Sequence, residues 1–136
     1  MDQIKRKPDF EGTWSYEEDN IFLNTIGYGQ FAFFIEKREA IDKACLESIR
    51  GIILDWYGES TFEGEFNEDV VRFTKSYVFD TIERGAAPNG VFYQGKKVSR
   101  DRYEGLYTVI NGTTNGVRGD WSRKFMMKRF VDQSLN

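Results

Sequence analysis

The chain contains no histidine, one cysteine and two prolines in 136 residues. Without histidine, a Ser-His-Asp or Cys-His relay cannot be assembled within one subunit. Haem held by a proximal imidazole is excluded for the same reason. One cysteine and no histidine leave too few soft ligands for a zinc centre. The lone Cys45 has no internal disulfide partner, which fits a reducing, cytoplasmic setting. Long apolar runs are missing too. The longest is Phe31-Ala32-Phe33-Phe34-Ile35, far short of the ~20 residues a membrane-spanning helix needs. The basic start, MDQIKRKPDF, is followed by no apolar stretch and does not read as a secretory signal. Neither charge sign dominates. With 19 Lys and Arg against 22 Asp and Glu, the formal net charge is −3, without the strong positive field of a general nucleic-acid binder.

Phosphate-binding signatures are also absent. Gly27-Tyr28-Gly29 is a G-x-G, but Gln30-Phe31-Ala32 supplies neither a third glycine nor a helix. It reads as a loop that needs positive φ. No cofactor is implied, no catalytic residue or metal-ligand set stands out, and an enzyme is the less favoured reading. Glu17-Glu18-Asp19-Asn20 lacks regular ligand spacing and reads as a solvated loop.

What is present is aromatic: 12 Phe, 7 Tyr and 3 Trp, with 13 Gly. The length suits one hydrophobic core, so the expected organisation is a flexible basic tail over residues 1–9 and a single domain over 10–136. From Phe10 the dominant period is two. Phe10, Gly12, Trp14 and Tyr16 share a face, as do Ile49, Ile53 and Tyr57, and Val71, Phe73, Lys75 and Tyr77. Residues 36–46 (EKREAIDKACL) place Ile41, Ala44 and Cys45 at helical spacing, so a short helix or a long charged loop is expected there. Turns are expected at Gly58-Glu59-Ser60, Asn67-Glu68-Asp69, Gly95-Lys96-Lys97 and Asn111-Gly112, and a loop over 83–90. Strands joined by short turns, without alternating helices, give an all-β antiparallel meander.

One pattern recurs within the strands: aromatic, charged, Gly, any residue, aromatic. It places Gly12, Gly64 and Gly105 between rings, with a looser copy at Gly119. Mid-strand glycine weakens a flat sheet but permits sharp coiling at the corners of a small closed barrel. Close packing of rings over glycine in a sandwich is the other explanation. Closure of a barrel would also remove exposed edges from so aromatic a sheet.

Gly12-Thr13-Trp14 at the start of the first strand resembles the G-x-W signature of the calycin superfamily, which includes lipocalins, fatty-acid-binding proteins and avidin-like barrels. The later V-x-F-x-K-x-Y, Y-x-G and G-x-W segments are similar to small bacterial proteins of this kind. The resemblance implies a lipocalin-like barrel of roughly seven to nine strands and an interior cavity. It also implies a last-strand arginine, Arg123 or Arg129, that covers Trp14 and closes the bottom. Fold alone does not fix function.

Within such a barrel, Lys75 falls among inward aromatics, where a lone ammonium is costly. It would anchor an anionic or carbonyl ligand, act as an activated amine, or extend along apolar surface to water. Asp55 shares the Ile53 face and would pair with Lys75, act as a general base, or sit at the edge of the turn. Arg123 would make a cation–π contact with Trp121 or a polar contact to a ligand. Tyr16, Tyr77, Tyr93 and Tyr107 would either fill the core or place hydroxyls around a cavity. Three functions remain open: binding of a small apolar or anionic ligand, a filled barrel serving as an interaction or homo-oligomerisation module, and a barrel isomerase or cyclase. Nucleic-acid and membrane partners are not expected.

Overall fold

Eight antiparallel strands close into a barrel in simple sequence order, each paired with the next and the last with the first. The structure, a computed structural model, describes residues 7–14, 29–41, 46–83, 89–114 and 117–130, and for 111–118 the backbone only. The strands are β1 (Phe10–Thr13), β2 (Gln30–Ala40), β3 (Glu47–Asp55), β4 (Gly58–Phe66), β5 (Val70–Tyr77), β6 (Val91–Ser99), β7 (Arg102–Thr114) and β8 (Val117–Arg129). One helix occurs among the described residues, α1 (Phe79–Glu83).

Alternation fixes the inside. Phe31 and Phe33, Ile49 and Ile53, Phe62 and Phe66, Val71 and Phe73, Tyr93, and Phe125 with Met127 all bury inward. Rings fill much of the interior: Phe33 stacks on Phe62 at 4.0 Å, Phe73 on Tyr93 at 4.5 Å, and Phe125 meets Tyr93 edge-on at 5.0 Å. Burial of each such side chain contributes ~1.5–3 kcal/mol. β1 is buried on both faces, Glu11 and Thr13 as well as Phe10 and Gly12.

Three of the four glycines of the recurring aromatic pattern are required by close approach. A Cβ at Gly64 would stand 2.1 Å from the Arg72 carbonyl oxygen, one at Gly105 2.0 Å from that of Gln94, and one at Gly12 2.2 Å from the Phe31 ring. Gly119 has open space around it, so its copy of the pattern has no such role.

The local reading needs several corrections. Residues 36–40 belong to β2 rather than to a helix or loop, while 42–45 lie outside the described residues. β2 bulges between Ile35 and Lys37 and ends in a wholly exposed stretch, Glu36–Ala40. β1 pairs only with Gln30–Phe33, so among the described residues no strand pairs with the second edge of this stretch, and dense charge is how such an edge resists pairing with foreign strands. A guarded edge and a solvated helix face thus look alike in sequence.

The expected turn at 58–60 lies earlier, at Trp56-Tyr57, because Asp55 Oδ1 accepts the backbone N–H groups of Tyr57 and Gly58. Gly58 then opens β4 at φ +130°. Gly95 is mid-strand opposite Gly105, and the turn there is Arg100-Asp101. Asn111-Gly112 lies within β7, where the pairing shifts register. Asn67 does form its turn, accepting the N–H groups of Asp69 and Val70, and Gly29 does adopt positive φ, +85°. Pro8 is buried, and Asp9 donates its N–H to the Phe33 carbonyl, so the chain is anchored two residues before the expected start.

Candidate functional site

The end of the barrel that carries the Trp56-Tyr57 turn and α1 gathers most of the unusual side chains. Asp55 is the last inward residue of β3, and Lys75 follows Val71 and Phe73 inward on β5. Lys75 Nζ lies 3.0 Å from Asp55 Oδ2, with the two side chains 1% and 0% exposed. It also donates to the Tyr77 hydroxyl at 2.7 Å, and that hydroxyl donates to Asp55 Oδ2 at 2.5 Å. With Oδ1 held by the turn, Asp55 is saturated with donors.

The ammonium is also ringed by π-faces. It stands 4.4 Å from the Tyr77 ring centroid, 4.8 Å from that of Trp14 and 5.4 Å from that of Tyr93. Such faces attract a desolvated cation. Burial nevertheless pulls the Lys75 amine below its ordinary range, against the opposing pull of Asp55. Burial, and secondarily the Asp55 charge, pushes the Tyr77 and Tyr93 phenols up, so both stay protonated and able to donate.

Above this layer are partly exposed rings. Trp14 packs near Tyr57 and Tyr107, at 6.4 and 6.1 Å, and Tyr107 meets Trp121 edge-on at 5.9 Å. Trp14 Nε1 donates to the Tyr93 hydroxyl at 2.9 Å. Trp121 Nε1 is buried and has no hydrogen-bond partner among the described residues. An unsatisfied buried donor is uncommon in folded proteins and calls for an explanation.

The fold therefore brings together Lys75, Asp55, Tyr77, Tyr93 and Tyr107. Arg123 is not part of the buried layer: it is exposed, with its guanidinium 5.3 Å from the Trp121 ring. Arg129 lies 5.4 Å from the Phe10 ring and pairs with Asp101. The cation found over Trp14 is thus Lys75 of β5 rather than the last-strand arginine implied by the resemblance. Tyr16 lies outside the described residues. Tyr57 and Trp121 also pack at this end, against Trp14 and Tyr107, and are not among the candidates drawn from the sequence. Tyr57 was findable, since it continues the Ile53–Asp55 alternation, whereas nothing local marks an indole N–H that will lack a partner.

Among the described residues no three Asp, Glu or Cys side chains converge as a metal site would need. The more open concavities lie on the outer wall. One, of about 530 Å³, is lined by Arg50, Glu63, Arg72, Thr74 and Phe92, on the opposite face of the sheet from the inward Lys75. Comparison with family models, curated proteins and solved structures gave no match. Among the described residues no helix is long and apolar enough to cross a membrane.

Proposed function

We propose that the barrel binds a small, flat, largely apolar molecule carrying a hydrogen-bond acceptor, at the aromatic end above Lys75. The observation that carries this reading is the buried indole N–H of Trp121, which has no partner among the described residues. It lies one ring away from Tyr107, which in turn packs against both Trp14 and Tyr93 of the Lys75 layer. A ligand carbonyl or carboxylate would satisfy that donor, while Trp14, Tyr57 and Tyr107 supply apolar contact. The closed meander and Gly12-Thr13-Trp14 support a calycin-like relationship, and the lone Cys45 supports a reducing, cytoplasmic setting. Catalysis through Lys75 is disfavoured because its ammonium is committed to Asp55 and Tyr77.

A native mass spectrum of the purified protein tests the proposal, together with a titration of anilinonaphthalene sulfonate followed by fluorescence. The expected results are an added mass that leaves on unfolding, or saturable one-to-one probe binding, weakened about tenfold or more in Trp121→Phe. A one-bond loss of ~1.4 kcal/mol corresponds to that factor. Probe binding unchanged in Trp121→Phe would remove this end of the barrel as the site.

A second reading is favoured by the stacked rings of Phe33, Phe62, Phe73, Tyr93 and Phe125, which occupy the interior below Lys75. On that reading the barrel is a filled interaction module. It predicts a bare mass and no saturable probe binding.

A further inference from the structure

By alternation Trp121, Arg123, Phe125 and Met127 share one face of β8, and Phe125 and Met127 of that face lie in the core. β1 pairs with β8 only over Met126–Arg129. On that side, among the described residues, no strand lies beside Trp121 or Arg123. On the other side they are paired with Val109 and Tyr107 of β7. The two residues therefore stand on the interior face of the wall, at the aromatic end and above the reach of β1.

Arg123 differs from the arginines around it. Arg38, Arg72, Arg102 and Arg129 each pair with a carboxylate. Among the described residues no carboxylate pairs with Arg123, whose guanidinium stands 5.3 Å from the Trp121 ring. Asp120, next in sequence to Trp121, is exposed and falls on the opposite face by alternation. An exposed arginine without a partner is ordinary by itself, because exposed ion pairs contribute little. This one lies against the ring of the indole whose buried N–H has no partner among the described residues. Two donors without acceptors, one of them charged, thus meet on a single ring.

The layer below does not supply a competing charge. The Lys75 ammonium is neutralised by Asp55 at 3.0 Å, and Tyr77 is bonded to both. A charged group arriving at this end meets a neutral floor and one uncompensated cation. A carboxylate has two oxygens that each accept at ~2.9 Å, which suits an indole N–H and a guanidinium lying against the same ring. Trp14, Tyr57 and Tyr107 are partly exposed around them. Their faces stack on a flat ring, whereas a flexible alkyl chain gains no stacking and loses more rotamer freedom on binding.

We propose that this end takes a flat aromatic carboxylic acid, bound as its anion, with the carboxylate between the Trp121 indole N–H and the Arg123 guanidinium and the ring system among Trp14, Tyr57 and Tyr107. The inference rests on the reading of this end as a binding site, and adds the charge and chemical class of what it holds. Arg123 acts from the rim and not from the buried layer.

Isothermal titration calorimetry of the full chain with 2-naphthoate, 2-naphthamide and decanoate tests this. Naphthoate is expected to bind about tenfold or more tightly than naphthamide, which has the same rings without the charge. It should bind several-fold more tightly than decanoate, which has the charge without the rings. Arg123 is exposed, so its replacement leaves the fold in place. In Arg123→Gln the margin over naphthamide narrows to about threefold or less, with naphthamide itself unaffected. Raising salt from about 20 to about 500 mM narrows the margin in the parent but not in Arg123→Gln. Trp121→Phe weakens both naphthalene probes about tenfold.

Equal binding of naphthoate and naphthamide, with both weakened in Trp121→Phe, overturns the anion and leaves the binding site in place. A margin that survives Arg123→Gln overturns the role of Arg123. Decanoate bound as tightly as naphthoate overturns the aromatic class. Binding of no probe, or binding indifferent to Trp121→Phe, overturns the site and this inference together.

Discussion

Lys75 and Asp55 form an ion pair at 3.0 Å that water does not reach. Two charges taken out of water are repaid only when geometry and additional hydrogen bonds are good. Here the Tyr77 hydroxyl and two backbone N–H groups complete the carboxylate, while three rings face the ammonium.

Removal of one partner is therefore predicted to be asymmetric. Asp55→Asn leaves a buried ammonium with no counter-charge and is expected to cost ~3–5 kcal/mol in urea denaturation. Lys75→Met leaves a carboxylate that still has three donors, and its cost should be at least about 1 kcal/mol smaller. In Asp55→Asn the amine loses the one charge that raised its pKa. Its folded value then falls further below the unfolded value of 10.5. Between those two values the unfolded chain binds more protons, so the stability of this variant rises with pH up to about 10.5. Equal losses from the two substitutions would show that the pair does not set the balance of charge in this layer.

The glycines separate two roles that look identical in the sequence. Gly64→Ala and Gly105→Ala drive a methyl into backbone atoms at 2.1 and 2.0 Å, and each is expected to cost about 3 kcal/mol or more. Gly119→Ala meets nothing within 4 Å. Alanine avoids the entropic penalty of glycine, so this variant should be neutral or stabilised by up to ~1 kcal/mol. Thermal melts of the three variants decide the matter. If Gly119→Ala falls as far as the others, close approach is not what demands glycine in this pattern.

The strand pattern was legible because a closed wall with an apolar interior imposes period two on β3, β4, β5 and β6. The same alternation puts Lys75 and Tyr77 on the face of Val71 and Phe73, and Asp55 on that of Ile53, and the structure turns both faces inward. Turns were harder to read. Gly58, Gly95 and Gly112 signal chain reversal by composition, yet they serve as a strand opening, a close crossing opposite Gly105 and a shift in register. The placement of Arg123 depends on how far β8 rises above β1, a property of four-residue β1 that alternation does not encode. That the Trp121 N–H has no partner among the described residues is a tertiary fact and has no local signature.

Asn67 offers a contained test of turn chemistry. Its Oδ1 accepts N–H groups from Asp69 at 2.7 Å and Val70 at 2.9 Å. Asn67→Ala should cost ~1 kcal/mol, and Asn67→Asp, which keeps the acceptor, should recover most of it. An unaffected melting temperature in Asn67→Ala would assign the turn to its backbone bond with Val70 alone.

Tyr77 and Tyr93 link the interior to pH in the opposite sense from a lysine whose pKa is lowered. Burial raises both phenols above their ordinary value of 10.0. Above pH 10 the unfolded chain has lost these protons while the folded barrel still holds them. Their contribution to stability is therefore complete below about pH 10 and lost above it, by roughly 1.4 kcal/mol per pH unit for each phenol. Lys75 acts with opposite sign only up to 10.5 and cannot offset the loss beyond that point. Two phenols together give a slope of about 2.7 kcal/mol per pH unit, enough to unfold a domain of ordinary stability within a few units. Phenolate absorbance measured against pH should show at least two of the seven tyrosines appearing late, in step with the loss of near-ultraviolet circular dichroism. In Tyr77→Phe one late phenolate should vanish, with the other still waiting for unfolding. Seven tyrosines ionising together near pH 10 with the fold intact would mean that water reaches the layer around Lys75 freely, and the buried ion pair would have to be reconsidered with it.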